Sequence, residues 1–291
     1  MDRDEPLIRD VTDTAMWTAA YRAEESARPG AMFDDPYADR LAGAPGHEIA
    51  RRTKPAAVRH GVVLRTAMLD RLIAHAANGE GFDSVLNLAA GYDTRPYRLD
   101  LPDALRWIEV DVPAILDRKR ELLLGETPHC QLESVALDLA DRSARLALFE
   151  CVAGASTRTL VVTEGLLSYL DPEDVAELAL DLRASSAFAV WLTDISSGTM
   201  SRHVKNAGDD LKAAGRARAR FAPSESSAFF LPYGWAESAY HGLFDEAPRL
   251  GRDTLTGRVL RAALRVLPVS AREGFSRTIG IARLEQTDET A

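Results

Sequence analysis

Acidic side chains follow three of the short apolar runs in the sequence. Asp111, Asp138 and Glu164 each stand where such a run ends. In an open α/β sheet, ligands bind outside the carboxyl ends of the strands, so these three carboxylates are expected at one edge of the sheet. An acidic edge of this kind favours a ligand that carries positive charge. Each carboxylate taken singly is equally compatible with an ordinary loop position.

The segment Ala90-Gly91-Tyr92 follows the first apolar run and contains a single glycine. A dinucleotide site needs the pattern G-x-G-x-x-G, because pyrophosphate requires several exposed N–H groups. One glycine permits close approach of a ligand without phosphates, although an isolated glycine is more often a simple turn. Asp111 comes 20 residues after Gly91, the offset at which an acidic residue reaches a ribose diol. The alternative is that Asp111 caps the helix that Pro113 begins.

Arg65 is the one charged residue inside an apolar stripe at helical spacing. The stripe consists of Val58, Val62, Leu69, Leu72 and Ala76. A buried guanidinium needs a partner, usually a carboxylate. We favour a carboxylate on a ligand; a protein carboxylate, or a side chain that extends to water, is the alternative.

Apolar runs bounded by turn residues indicate the elements that position these groups. They predict strands over 84–89, 105–110, 132–137, 159–163, 188–193 and 277–284, with helices over 14–80, 113–124 and 172–184. Strands that alternate with helices predict an α/β fold with a parallel sheet covered on both faces.

Composition excludes several classes of protein. The chain has 291 residues with 27% charged and 46% hydrophobic residues and a net charge of −9, which is typical of a soluble enzyme and argues against nucleic acid as a partner. Neither a cationic leader nor an apolar run long enough to span a membrane is present, so we expect a cytoplasmic protein. Cys130 and Cys151 are expected to be free thiols, and the histidines lack metal-ligand spacing.

A cationic stretch interrupts the strand-helix alternation after residue 196. Its cations are Arg202, His203, Lys205, Lys212, Arg216, Arg218 and Arg220, and the aromatic residues that follow are Phe221, Phe229, Phe230, Tyr233 and Trp235. The favoured interpretation is a solvated helix followed by core aromatic residues. The alternative is a lid whose cations attract an anionic aromatic substrate and whose rings stack on it.

Several segments in order resemble a known family. They are TAMWTAAYRAEES, FDDPYADRLAG, LRTAMLD, VLNLAAGYDTRPYRL, WIEVDVPAILDRK, VALDLAD and VTEGLLSYL. Together they resemble the leucine carboxyl methyltransferase family, in the bacterial branch that includes polyketide O-methyltransferases of the tetracenomycin type. The resemblance fades after about residue 196.

The resemblance implies a fold and its division. The fold is a Rossmann-like class I methyltransferase fold, with a doubly wound, mostly parallel sheet of about seven strands and one antiparallel strand near the end. A single domain over 1–291 would comprise a helical cap (1–80), a cofactor-binding core (81–195), a lid or acceptor insertion after the fifth strand (196–243), and C-terminal strands and a helix (244–291).

The resemblance also implies S-adenosyl-L-methionine (SAM) as cofactor and assigns residues to it. Arg65 would hold the SAM carboxylate, Ala90 and Gly91 would line the methionine portion, Asp111 would bind the ribose hydroxyls, Asp138 with Leu139 would frame the adenine, and Glu164 would face the methionine end. On the substrate side, Tyr169 would lie near the transferred methyl group, and Trp17 and Tyr21 would close over the cofactor. No metal is implied.

The acceptor is expected to be an oxygen atom of a small molecule. Protein-carboxyl methyltransferases of the family carry a SAM-binding lysine in their first helix, whereas this chain reads Met16-Trp17-Thr18-Ala19 there. An ionised carboxylate needs no general base, whereas a phenol would need one, and Tyr169 or His203 is the candidate. A non-catalytic SAM-binding protein and an NAD(P)-dependent oxidoreductase on a related fold are the alternatives.

Overall fold

The computed structural model describes residues 11–53, 56–196, 220–252, 255–264, 266 and 268–287. The candidate catalytic residue His203 lies outside the described residues. So do the other cations of the 196–219 stretch, namely Arg202, Lys205, Lys212, Arg216 and Arg218.

Seven strands form one sheet in the order β3-β2-β1-β4-β5-β7-β6. The strands are Ser84–Leu88 (β1), Arg106–Asp111 (β2), Gln131–Ala136 (β3), Thr159–Thr163 (β4), Phe188–Ser196 (β5), Trp235–Gly242 (β6) and Ile279–Gln286 (β7). The first five strands are parallel, and β7 runs antiparallel between β5 and β6. The predicted doubly wound, mostly parallel sheet of about seven strands is therefore confirmed.

Helices surround the sheet. In the described ranges the α-helices are Val11–Ser26 (α1), Ala38–Arg52 (α2), Ala56–Gly79 (α3), Arg95–Arg98 (α4), Pro113–Leu122 (α5), Arg142–Gly154 (α6), Pro172–Arg183 (α7), Leu243–Glu246 (α8), Leu255–Leu264 (α9) and Val269–Ser276 (α10), and 3-10 turns cover Leu167–Tyr169 and Ser226–Tyr233. Helices α1 to α3 form the N-terminal cap. Helices α1 and α2 pack so closely that only glycine fits at position 46: a Cβ atom there would collide with the main-chain carbonyl of Met16.

The segment 196–243 is not an insertion throughout. Its last part is β6, which pairs with β7 from Trp235 opposite Gln286 to Gly242 opposite Gly280. Sequence reasoning missed this strand because its sequence, WAESAYHG, is not a short apolar run like those that predicted the other strands. The segment predicted as an insertion therefore ends in an edge strand of the sheet.

The aromatic residues after the cationic stretch belong to the core. Phe221, Phe230 and Trp235 are buried against the sheet face that α6 and α7 cover. The indole N–H of Trp235 donates to the carbonyl of Ala179 in α7 (2.9 Å). Phe229 and Tyr233 pack against the same cluster. Core packing was the favoured interpretation of these rings, and the structure confirms it.

A second apolar cluster joins α3 to the opposite face of the sheet, where Leu69 and Ile73 pack with Trp107 and Leu192. In the ranges that the structure describes, no helix combines the length and the apolar character that membrane crossing requires.

Candidate functional site

A cavity of about 400 Å³ opens at the carboxyl ends of β1, β2 and β4. It lies between β1 and β4, where the order of strands along the sheet reverses, which is the usual ligand position in open α/β sheets. Helices α1 and α3 of the cap form its other walls. Of the predicted site residues, the structure brings Trp17, Arg65, Ala90, Gly91, Asp111, Glu164 and Tyr169 together around this cavity.

The turn after β1 is fixed by Asp111 at the end of β2. The N–H of Gly91 donates to Asp111 Oδ2 (2.7 Å), and the N–H of Val112 donates to Oδ1 (2.7 Å). Gly91 has φ +53°, a conformation that glycine adopts without strain. Burial raises the pKa of Asp111, against the effect of these two donors. Each carboxylate oxygen keeps a further lone pair for a ligand hydroxyl.

Asp93 lines the cavity in the turn after β1, the turn that binds pyrophosphate in dinucleotide-binding folds. Its carboxylate accepts from Asn87 Nδ2 (2.8 Å) and from the N–H and Nη1 of Arg95 (2.9 Å each). Burial opposes its charge, but Arg95 and Lys119 lower the pKa of Asp93 to about 2. Because an ionised carboxylate repels phosphate groups, Asp93 disfavours binding of the pyrophosphate of NAD(P) at this turn.

Arg65 lies between two protein carboxylates on the cavity wall. Its Nε donates to Glu164 Oε1 and its Nη1 to Asp194 Oδ2, each at 2.9 Å. Although burial opposes its charge, Asp194 and Glu164 raise the pKa of Arg65 above its usual value. The alternative prediction for Arg65, a carboxylate of the protein itself, is therefore confirmed. A ligand contact is still available, since within the described residues Nη2 forms no hydrogen bond.

Glu164 is shared by two arginines. Its Oε2 accepts from Arg95 Nη1 (2.8 Å) while Oε1 accepts from Arg65. Burial alone would raise the pKa of Glu164, but Arg95 and Arg65 hold it below its usual value. Arg65 and Glu164 thus present a positive and a negative group side by side, which complements the ammonium and carboxylate of an α-amino acid.

A buried ion network extends from this pair into the cap. Arg95 Nε donates to Asp70 (2.7 Å), and Arg98 binds the same carboxylate through two donors (2.7 Å each). Arg22 of α1 donates to Asp35 (2.8 Å) and to the carbonyl of Tyr92 (2.6 Å).

Sequence reasoning missed this network. Asp35, Arg95 and Arg98 stand inside the motifs FDDPYADRLAG and GYDTRPYRL, so the signal was present without an assigned role.

Tyr169 lies on the 3-10 turn after β4 and is 39% exposed. It lines the cavity mouth, where its side chain hydrogen-bonds to Thr14 of α1. Burial of the hydroxyl raises its pKa, so Tyr169 is neutral at pH 7. Arg220, the last cation of the cationic stretch, donates its N–H to the carbonyl of Ser168 (2.8 Å) in the same turn.

Three predicted site residues lie away from the cavity that the described residues form. Tyr21 lies one helical turn beyond Trp17 and packs against its ring (centroids 5.6 Å apart), but it is buried inside the cap because its hydroxyl donates to the carbonyl of Thr53 (3.1 Å). Asp138 is exposed and accepts from the N–H of Ala140 (3.0 Å). Leu139 packs against the sheet core.

The sequence matches one protein family and several named relatives. The sequence profile of the leucine carboxyl methyltransferase family matches residues 15–182. A Streptomyces coelicolor protein named as an S-adenosyl-L-methionine-dependent methyltransferase is 35% identical over 258 residues, covering 84% of this chain and 89% of that protein. A Streptomyces avermitilis protein named for the same activity is 33% identical over 261 residues, with the same coverage of each chain.

Solved structures share the fold. The crystal structure of a Thermobifida fusca protein named as a methyltransferase has a TM-score of 0.58 and 16% identity, and the match covers 99% of this chain and 97% of that one.

Proposed function

The chain belongs to the leucine carboxyl methyltransferase family, and we propose that it transfers the methyl group of SAM to a carboxylate or hydroxyl oxygen of a small molecule. The observation that carries the proposal is the adjacent pair Arg65 and Glu164 in the same cavity as Asp111. A polyketide or another secondary metabolite is the expected acceptor class.

The cavity wall fits the cofactor group by group. Arg65 and Glu164 match the zwitterionic end of the methionine portion, and Asp111 offers acceptor oxygens to the ribose hydroxyls. Gly91 has no side chain, so its backbone permits a ligand to approach closely from the cavity. A Cβ atom at this position would point toward α1, where it would lie 3.9 Å from Ala15 Cβ. When bound, SAM supplies a methyl group activated by the positive sulfonium.

The protein's own contribution is to orient the acceptor and exclude water. Methyl transfer is an in-line displacement, so its rate depends on alignment of the two reacting atoms. The cap helix α1 covers the cavity with Thr14 and Trp17, and Tyr169 closes its mouth. The candidate base on the described wall is Tyr169, and burial raises its pKa so that it stays neutral at pH 7; this favours an acceptor already ionised at pH 7, such as a carboxylate.

The direct test is turnover with a panel of small aromatic acids and matched phenols. Salicylate is informative because it carries both groups, and mass spectrometry with tandem fragmentation locates the added methyl. We expect S-adenosylhomocysteine (SAH) formation that depends on a carboxylate acceptor, and no binding of NAD(P). SAM binding without turnover of any acceptor would support a non-catalytic SAM-binding protein instead, and NAD(P) binding would support an oxidoreductase.

Asp111→Asn should weaken binding of every ligand that carries the ribose. The amide keeps one acceptor oxygen and loses the charge, so the affinity for SAM and for 5′-methylthioadenosine should fall about 10- to 100-fold, the loss typical of a hydrogen bond to a charged group. Calorimetric titration measures both. Asp138→Asn is the matched control, because this exposed carboxylate ends the neighbouring strand and lies away from the cavity. A loss in Asp138→Asn but not in Asp111→Asn would contradict the assignment.

Tyr169→Phe should lower kcat/KM for the acceptor about fivefold without changing SAM affinity. The neutral phenol donates or accepts one hydrogen bond, and about 1 kcal/mol is the usual net contribution of such a bond. The pH profile of kcat/KM checks the interpretation, because the profile should keep its shape. A loss above about 100-fold together with a disappearing pH limb would assign Tyr169 the role of a general base.

A further inference from the structure

Asp194 contacts two cavity-lining residues although it does not itself line the cavity. It stands near the carboxyl end of β5, opposite Ile281 of β7. Its Oδ1 accepts from the N–H of Gly165 (2.6 Å), and its Oδ2 accepts from Arg65 Nη1 (2.9 Å). The side chain is 15% exposed, so both hydrogen bonds are largely shielded from water. Predicted strand β5 ended at residue 193, and Asp194 was not a candidate on sequence grounds.

The two groups that Asp194 binds, the backbone of Gly165 and the guanidinium of Arg65, also contact each other. Gly165 has φ +69°, and a Cβ atom at this position would lie 3.4 Å from Arg65 Nη1. The guanidinium of Arg65 therefore packs on the bare backbone of Gly165. Asp194 holds that backbone with one oxygen and the guanidinium with the other, so it sets their relative position.

Asp194 also decides which donors of Arg65 stay available. Nε binds Glu164 and Nη1 binds Asp194, so the donors of Nη2, which bind no other described residue, are left for a ligand. A planar guanidinium fixes the direction of its remaining N–H bonds once two edges are bound. Without Asp194, Arg65 would rotate about its single remaining ion pair with Glu164.

We propose that Asp194 is a positioning residue that aims Arg65 at the carboxylate of the cofactor's amino-acid end. This inference rests on the proposed function, since it takes SAM as the ligand. It predicts a selective effect: loss of Asp194 weakens ligands that carry the amino-acid end and spares ligands that lack it. A residue that only stabilises the fold would weaken both classes equally.

The test compares SAH with 5′-methylthioadenosine, which shares the adenosine and the thioether but has no amino-acid carboxylate. Calorimetric titration of the full-length chain measures both ligands against the wild type, Asp194→Asn and Asp194→Ala. The asparagine keeps an acceptor for Gly165, whereas the alanine removes both contacts. We expect Asp194→Asn to weaken SAH about tenfold, the loss of one charge-assisted hydrogen bond, with a larger loss in Asp194→Ala. The affinity for 5′-methylthioadenosine should change less than about twofold, since neither substitution removes a contact to the adenosine portion.

Asp181→Asn is the matched control. Asp181 is also a buried carboxylate that binds two arginines, Arg142 and Arg145, but it lies on α7 away from the cavity. Its substitution should leave the ratio of the two affinities unchanged. If Asp194→Asn fails to fold, Asp194→Glu keeps the charge but shifts the carboxylate, and the same selective loss is expected.

Each outcome is informative. Equal weakening of both ligands, or no change in either, would overturn the positioning role of Asp194. A wild-type protein that binds neither SAH nor 5′-methylthioadenosine would instead overturn the proposed function.

Discussion

Arg65→Met should weaken SAM and SAH binding by roughly 100-fold. The substitution removes the guanidinium that joins Glu164 to Asp194 on the cavity wall, and a charged hydrogen-bond partner typically contributes about 1.5–3 kcal/mol. It also leaves the carboxylates of Glu164 and Asp194 without the cation that they share. Calorimetric titration should show the loss for SAM and SAH and little change for 5′-methylthioadenosine, which lacks the amino-acid end.

The same variant should make binding sensitive to acid. In the wild type, Arg95 and Arg65 hold the pKa of Glu164 below its usual value against the effect of burial. Removal of Arg65 lets burial raise that pKa, so the residual SAM affinity should fall as the pH is lowered toward the pKa of Glu164. The wild type should keep its affinity to lower pH, because its Glu164 stays ionised there.

Arg59→Met is the control on the same helix. Arg59 pairs with Glu24 at 3.0 Å and is half-exposed outside the cavity, so its loss should cost little. Unchanged SAM affinity in Arg65→Met would show that the ion pairs of Arg65 serve the fold alone and that its assignment to the cofactor is wrong.

The sequence identified the residues of the cavity better than it identified their partners. Gly91 and Asp111 were predictable because their spacing reflects one strand-helix-strand unit, in which local geometry fixes the distance. Glu164 was predictable from the same rule that places ligands at strand ends.

The ion pairs of the site were not predictable in this way. Arg65 contacts Glu164 and Asp194, which are 99 and 129 residues away in the chain. A charged residue in an apolar helical stripe predicts burial and the need for a carboxylate, but periodicity carries no information about which carboxylate the fold brings near. The rule for strand ends also selected Asp138, yet β3 lies at the edge of the sheet and Asp138 is not among the residues that line the cavity in the described ranges.

Arg95 connects the parts of the fold that sequence reasoning treated separately. It binds Asp70 of the cap, Asp93 of the turn after β1 and Glu164 after β4, at 2.7 to 2.9 Å. Its side chain is 2% exposed. Through Asp70 and Arg98 the same network reaches Asp35, which Arg22 of α1 also binds. The position of the cap over the cavity therefore depends on ion pairs that converge on one guanidinium.

Arg95→Met should lower the free energy of unfolding by about 3–5 kcal/mol, because it removes the arginine that pairs with largely buried Asp93 and one of the two arginines that bind each of Asp70 and Glu164. That is a large part of the 5–15 kcal/mol that stabilises a typical domain. Urea denaturation at pH 7 measures the loss, with Arg142→Met as control. Arg142 pairs with Asp181 but is half-exposed, so its substitution should cost about 1 kcal/mol or less.

The stability of the Arg95→Met variant should also depend on pH in a defined direction. Burial would raise the pKa of Asp93 above its usual 3.8, but Arg95 and Lys119 lower it to about 2 in the folded protein. A carboxylate with a depressed folded pKa contributes stability that is complete above its unfolded pKa and is lost as the pH falls through its folded pKa. For the wild type this contribution, roughly 2 kcal/mol by linkage, is therefore present above about pH 4 and is lost toward pH 2.

Without Arg95 the pKa of Asp93 in the folded protein rises. The difference in unfolding free energy between wild type and variant should therefore be largest at pH 7 and should become smaller as the pH falls below 4. A gap that stays constant from pH 7 to pH 3 would mean that Arg95 stabilises the fold by packing rather than by its charge.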